Sequence, residues 1–264
     1  MESSIAIKYS TAVLPVTKYT GWEVIGTEYW NKQKGSRKGL SEIESASTYL
    51  GGYVLPLLLS DAGFLIRTAR EAIESYLKNG KLIECPSPLS STLVEPAAAF
   101  VTINKFQSGG NKELRGCVGV CETESPLVDV VIEMAVAASA RDPRFPPLLA
   151  KELGEIVLEI SILSTLSLVN VKSPKDYLNT IRVGKDGLVF HWRGLSGILL
   201  PQVSVEYDWG PEEFLSNVCV KAGAPSNSWL LGDAKIYRFQ AEIFGETSPR
   251  GPVVMRNPQK EEAE

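Results

Sequence analysis

The seven residues LRGCVGV, Leu114–Val120, set an arginine, two glycines and a cysteine inside an apolar run. Arg115 supplies a forked cation suited to a carboxylate or phosphate. Gly116 and Gly119, on either side of Cys117, permit positive φ angles and a close approach of a ligand to the backbone. Cys117 becomes a nucleophile or redox thiol if a cation or a helix N-terminus lowers its pKa. The same residues also fit a structural role. In that role the glycines shape a bulge or tight turn, Cys117 packs as a small hydrophobe, and Arg115 ties down a carbonyl or Asp142.

A second chemically capable stretch is ARDPRFPP, in which Arg141, Asp142 and Arg144 are held by Pro143, Pro146 and Pro147. A stiff charged loop of this kind makes either the wall of a binding cleft or an internal Asp142–arginine pair that closes a helix. Gln202, a polar amide in the apolar run GILLPQVSV, offers a donor and an acceptor to a ligand or to a neighbouring backbone edge. His191 is the one histidine of the chain and alternates within an apolar strand, so activation of Cys117 by histidine is not expected. Cys85, Cys117, Cys121 and Cys219 are too few for a disulfide scaffold, and their spacing matches neither a redox CxxC nor a zinc knuckle. Reduced thiols and no metal site are expected. Phosphate-loop, HExxH, GxSxG and paired-carboxylate signatures are absent from the sequence.

These residues need elements to position them. SDAGFLIRTAREAIESYLKNG places Phe64, Leu65, Thr68, Ala69, Ile73 and Leu77 on one side of a helix, with Ser60 or Asp61 as cap and Gly80 as stop. AAAFVTINKF, the turn QSGGNKE and LRGCVGVCE read as a hairpin. Pro126 opens a second helix that must end by Asp142, because Pro143 disfavours helical backbone in the residue before it. GEIVLEISILS reads as a strand with one buried face, TIRVGKDGLVFHWRGLSGILL as two more, PEEFLSNVCVKA as a third helix closed by Gly223, and AKIYRFQAEIFGE as a last alternating strand. Trp192, Trp209, Trp229 and Cys219 are expected in the packing. The class is α+β, with helices on a largely antiparallel sheet.

Composition narrows the partners. The 264 residues are 44% hydrophobic and 22% charged, as in ordinary globular chains, and suffice for one large domain or two lobes. A net charge of −4 offers no general attraction to nucleic acid or anionic lipid. The apolar run YVLPLLL is far short of the roughly 20 residues needed to cross a bilayer, and no basic head with an apolar signal core begins the chain. A cytoplasmic protein with no membrane partner, and with nucleic acid ranked last among its partners, is the expectation. Residues 1–57 differ in texture and read as an extension with short strands and a basic loop, NKQKGSRKG; residues 58–252 form the main fold, and 253–264 a polar tail.

LRGCVG, DPRFPP and LLPQV, in this order and spacing, resemble the AMMECR domain, as do EEFLSNVCVKAGAPSNSWL and YRFQAEIFGE followed by SPRGP. The resemblance runs from about Ser60 to Pro252 and leaves residues 1–57 outside. It implies a larger and a smaller lobe with a cleft between them. In prokaryotes such chains resemble protein A of the AmmeMemoRadiSam set, which implies a Memo-like protein and a radical-SAM protein as partners. It implies no reaction and no cofactor. Two functions are carried forward. One is an enzyme or enzyme subunit acting on a small anionic substrate, with Arg115 orienting the anion, Cys117 as nucleophile or redox thiol, and Arg144 and Gln202 lining the cleft. The other is a non-catalytic module that docks a protein, peptide or nucleic acid on the same surface.

Overall fold

The computed structural model describes residues 12–13, 57–87, 89–107 and 109–257. The basic loop expected at 31–39 and most of the expected N-terminal extension lie outside the described residues.

Two sheets organise the chain. The larger contains β1 (Ala12–Val13), β2 (Ala99–Phe106), β3 (Lys112–Gly119), β4 (Ile156–Leu163), β9 (Ala241–Glu246) and β10 (Val253–Arg256) in the order β1-β3-β2-β4-β9-β10. Five of these strands are mutually antiparallel, and β1 adds a short parallel pairing to β3. The smaller sheet is antiparallel, with β5 (Ser167–Leu168), β6 (Gly187–Trp192), β7 (Leu195–Leu199) and β8 (Lys235–Phe239) in the order β5-β8-β6-β7. The helices are α1 (Leu59–Asn79), α2 (Ser91–Val94), α3 (Leu127–Ala140), α4 (Tyr177–Thr180), α5 (Pro201–Glu206) and α6 (Pro211–Lys221), with short 3-10 turns at Ala150–Glu152, Pro174–Asp176 and Ser228–Leu230. The α+β class read from the sequence is the class observed.

Strand alternation divides the interior in two. Ala99, Val101 and Ile103 of β2, with Ile156, Leu158, Ile160 and Ile162 of β4, pack against α1 and α3. Their neighbours Phe100, Cys117 and Leu163 face the other way, into a second core with the small sheet and α6. The large sheet is therefore the shared middle layer of two lobes. For this reason β4 is buried on both faces rather than on the one face its sequence suggests. A strand covered on both sides need not alternate cleanly in polarity.

Helix ends follow simple rules. Gly80 ends α1 in the left-handed region at φ 66°, and Gly223 follows α6 at φ 79°. The expected α1 cap is displaced: Leu58 occupies that position without a side-chain cap, and Asp61 instead accepts a hydrogen bond from the Ser90 hydroxyl at 3.0 Å. Arg70 of α1 crosses to Glu246 of β9 in a buried ion pair and also donates to the carbonyls of Leu153 and Ile156, tying α1 to the large sheet.

Two further expectations are corrected at the C-terminal end. AKIYRFQAEIFGE forms two strands in different sheets, because Gln240 exchanges hydrogen bonds with Ser164 and turns the chain from β8 into β9. Residues 253–256, expected in a polar tail, form the edge strand β10, paired along β9 from Val253↔Glu246 to Arg256↔Ile243. Among the described residues no helix is long and apolar enough to cross a membrane.

Candidate functional site at the lobe junction

The LRGCVG segment lies on β3 and owes its shape to two close approaches. A Cβ on Gly116 would stand 2.2 Å from the Ala138 carbonyl oxygen of α3, and one on Gly119 would stand 2.2 Å from the Phe100 ring. Neither glycine has positive φ. The expectation of left-handed backbone is thus corrected: the glycines make room for the protein's own helix and ring. Between the pairs Ile103↔Gly116 and Asn104↔Leu114 the register shifts and leaves Arg115 as an extra residue, so the expected bulge is present.

Arg115, freed from the ladder, reaches the connection after α3. Its Nε and Nη2 meet the two Glu152 carboxylate oxygens at 2.9 and 3.1 Å, while Nη1 donates to the Pro146 carbonyl at 2.9 Å and Nη2 to that of Pro147 at 3.3 Å. Glu152 also accepts from the Leu149 N–H at 2.8 Å. Those hydrogen bonds, with Arg115 foremost, hold the Glu152 carboxyl below its usual range against the opposing effect of burial. Arg115 fastens the proline loop to β3, and its guanidinium is occupied inside the protein.

The loop in turn grips Cys117. Asp142, buried just beyond α3, accepts from the Cys117 N–H at 2.8 Å and from the Arg144 N–H, Nε and Nη2 at 3.1, 2.8 and 2.6 Å. Arg144 Nη2 also donates to the Cys117 carbonyl at 3.1 Å. Both polar groups of Cys117's backbone are thus held by one Asp142–Arg144 pair. Burial pushes the Asp142 carboxyl up, but Arg144 and the two backbone donors outweigh it and hold the carboxyl below the usual range.

The thiol points away from α3, toward the second lobe. Burial raises it to about 11, against the lowering effects of the Thr102 hydroxyl, 3.2 Å from Sγ, and of Arg144, with Asp142 and Glu159 adding to the rise. At neutral pH Cys117 is a protonated thiol, not an activated nucleophile. His191 lies elsewhere, exposed on β6 with its ring 5.3 Å from that of Tyr237. Cys219 is buried in α6, and burial raises it to about 11 as well.

Around the thiol the structure assembles polar residues that sequence reasoning missed. Cys117, Thr102 and Glu159 stand in one cross-strand row, continued by Gly245. The bare Gly245 lets Arg256 lie across β9, its Nε 2.8 Å from where a Cβ would be, and reach Glu159 at 3.2 Å. In the adjacent row Ser161 accepts from Gln202 Nε2 at 3.4 Å; Gln202, named from the sequence, lies in the first turn of α5. Lys221, the last residue of α6, feels the charges of Arg144 and Asp142. Burial, assisted by Arg144, lowers its ammonium from 10.5 to about 8. A charged residue inside an apolar strand or helix was the available signal. Glu159 breaks IVLEISIL in this way, and Lys221 ends FLSNVCVK.

Two buried polar atoms here have no hydrogen-bond partner, Arg144 Nη1 and Gln202 Oε1. One is a guanidinium donor beside the Cys117 carbonyl and the other an amide acceptor beside Ser161. Among the described residues no cluster of three or more histidine, cysteine or carboxylate side chains could hold a metal ion.

Comparison with known proteins places this arrangement in a family. A protein of Thermofilum pendens is 43% identical over 205 residues, covering 76% of this chain and 96% of the relative. One from Methanocaldococcus jannaschii is 43% identical over 198 residues, covering 75% and 96%. The crystal structure of uncharacterized protein PH0010 from Pyrococcus horikoshii superposes with a TM-score of 0.73 at 41% identity, over 78% of this chain and all of that one. The AMMECR1 family model matches residues 66–244, a span that contains the bulge, the Asp142–Arg144 clamp, Gln202 and Lys221. The chain belongs to the AMMECR1 family.

Proposed function

We propose that the protein is an enzyme or enzyme subunit that binds a small anionic substrate, a carboxylate or phosphate, at the junction of the two lobes. One observation carries the reading. Arg144 uses Nε and Nη2 on Asp142 and Cys117, while Nη1, buried and without a partner, is left for an incoming oxygen. Lys221 adds a second cation to the same neighbourhood. Gln202 Oε1 supplies an acceptor for a hydroxyl or amide of the ligand. Arg115 serves this site indirectly, by holding the loop that carries Asp142 and Arg144. The docking alternative draws no support from Arg115, whose three guanidinium nitrogens all have partners within the chain.

The reading assigns Cys117 a place in the wall. A thiol raised to about 11 with no histidine beside it makes a poor attacking group at neutral pH, so the chemistry falls to other residues. Thermal melting against a panel of small carboxylates and phosphates, for wild type and Arg144→Gln, tests the site. Stabilisation by at least one anion that disappears in the variant is expected. Equal shifts in both proteins, or none in wild type, would remove the reading.

A further inference from the structure

We propose that the outer edge of β3 at Val118–Gly119 is a strand-acceptor site for an extended apolar peptide of a partner protein, and that the chain's own Ala12–Val13 fills it as a displaceable plug. The proposal goes beyond the anion-site reading and does not depend on it.

The ladder fixes which backbone atoms face outward. The Val120 N–H donates to the Ala99 carbonyl at 3.1 Å, and opposed residues of an antiparallel pair alternate between hydrogen-bonded and non-hydrogen-bonded. Val118 therefore exchanges its hydrogen bonds with Val101, whereas Cys117 and Gly119, opposite Thr102 and Phe100, turn their N–H and C=O groups to the other side. At Cys117 both groups are met by Asp142 and Arg144, at 2.8 and 3.1 Å, and the bulge at Arg115 breaks the edge just before it. What remains for another strand is a short stretch of backbone around Gly119. An edge of this kind is a template for pairing.

Its occupant is an addition to the family domain. β1 sets Ala12 beside Val118 and Val13 beside Gly119, in parallel, and lies before residues 66–244, which the family model matches. The whole PH0010 chain is covered by 78% of this one. The acceptor edge thus belongs to the shared domain and the plug does not. Val118 is buried on the α3 face of the sheet and Cys117 on the face toward the second lobe. A strand laid beside them extends both cores, so short apolar residues suit it on either face, as in the AVL of residues 12–14. Main-chain hydrogen bonds supply the affinity in such a pairing, and two paired residues make few of them, which keeps the strand exchangeable.

The test uses the full chain and the labelled peptide STAVLPVTKY, the chain's own sequence around β1, with binding read by fluorescence anisotropy. Ala12→Pro combined with Val13→Pro removes two N–H donors and unseats β1. The double variant is expected to bind the peptide about tenfold more tightly than wild type, in which the tethered strand competes as an intramolecular ligand. Hydrogen exchange at the Gly119 amide is expected to quicken in the variant and to slow again with peptide. Equal affinity for the two proteins, no binding by the variant, or equal binding of a scrambled peptide overturns the proposal. A wild-type dimer that the prolines convert to a monomer would assign the edge to a second copy of this chain and overturn it as well. Val13→Asp serves as a second variant should the double proline variant fail to fold. Failure of both to fold would make β1 a fixed part of the domain and end the proposal.

Discussion

Asp142 Oδ2 lies 2.8 Å from the backbone nitrogen of Cys117, so the carboxylate of one motif is the hydrogen-bond acceptor of the other. The motifs are 25 residues apart in sequence, and this bond and its Arg144 counterpart make them a single unit. Asp142→Asn keeps the shape but leaves Arg144 as a buried cation without its counter-charge. A loss of about 3 kcal/mol is expected in urea unfolding. The pH dependence has a defined sign. The folded carboxyl is held below 3.8, its ordinary value, so its contribution is fully present above 3.8 and vanishes as pH falls through the folded value. A variant as stable as wild type at neutral pH would show that the clamp contributes nothing.

Gly116→Ala should be among the most damaging small substitutions in the domain. The added methyl would meet the Ala138 carbonyl, a backbone atom that moves only if α3 moves. A cost of about 2–3 kcal/mol is expected from overpacking. Gly116→Ala and Gly154→Ala form a matched pair, since a Cβ on Gly154 meets nothing within 4 Å. Equal melting temperatures for the two variants would contradict the close approach.

Much of this arrangement was legible in the sequence. Periodicity and capping found the helices α1, α3 and α6, the hairpin, and the proline-limited end of α3. Bulge, packed thiol and carbonyl-tethering arginine were one of two readings of LRGCVG, and the geometry realises all three. What escaped was long-range. Nothing local marks Glu152 as the partner of Arg115, because the contact spans 37 residues and arises from the bulge. The break at Gln240 and the strand β10 were hidden for a similar reason. Sheet membership is set by which neighbours are already in place, not by the alternation of the segment itself.

Cys117 should alkylate slowly in the folded protein at neutral pH, at a rate close to that of buried Cys219 and well below that of a free thiol. Burial raises both to about 11, so the reactive thiolate becomes appreciable only toward that pH. Site-resolved alkylation against pH checks this. A fast Cys117 with an apparent value below the usual 9.0 would return the thiol to candidacy as nucleophile.

Lys221 makes the sharpest pH prediction. Its ammonium titrates at about 8 in the folded chain and at 10.5 when unfolded. Below pH 8 the group is charged in both states, and its burial, with Arg144 adding to it, opposes folding, while the Asp142 carboxylate offsets only part of that. Between the two values the unfolded chain binds a proton that the folded chain does not, so the penalty shrinks as pH rises. Lys221→Met should therefore be more stable than wild type by about 1–2 kcal/mol at neutral pH, allowing for the lysine's partial exposure. That advantage should fade above pH 8 and be gone near 10.5. The thiols act in the opposite direction from pH 9.0 upward, where unfolded cysteines ionise first. They are common to both proteins, so the difference between the two unfolding curves isolates the lysine. An advantage that is flat across pH 8 would mean that burial does not destabilise the Lys221 ammonium in the folded chain.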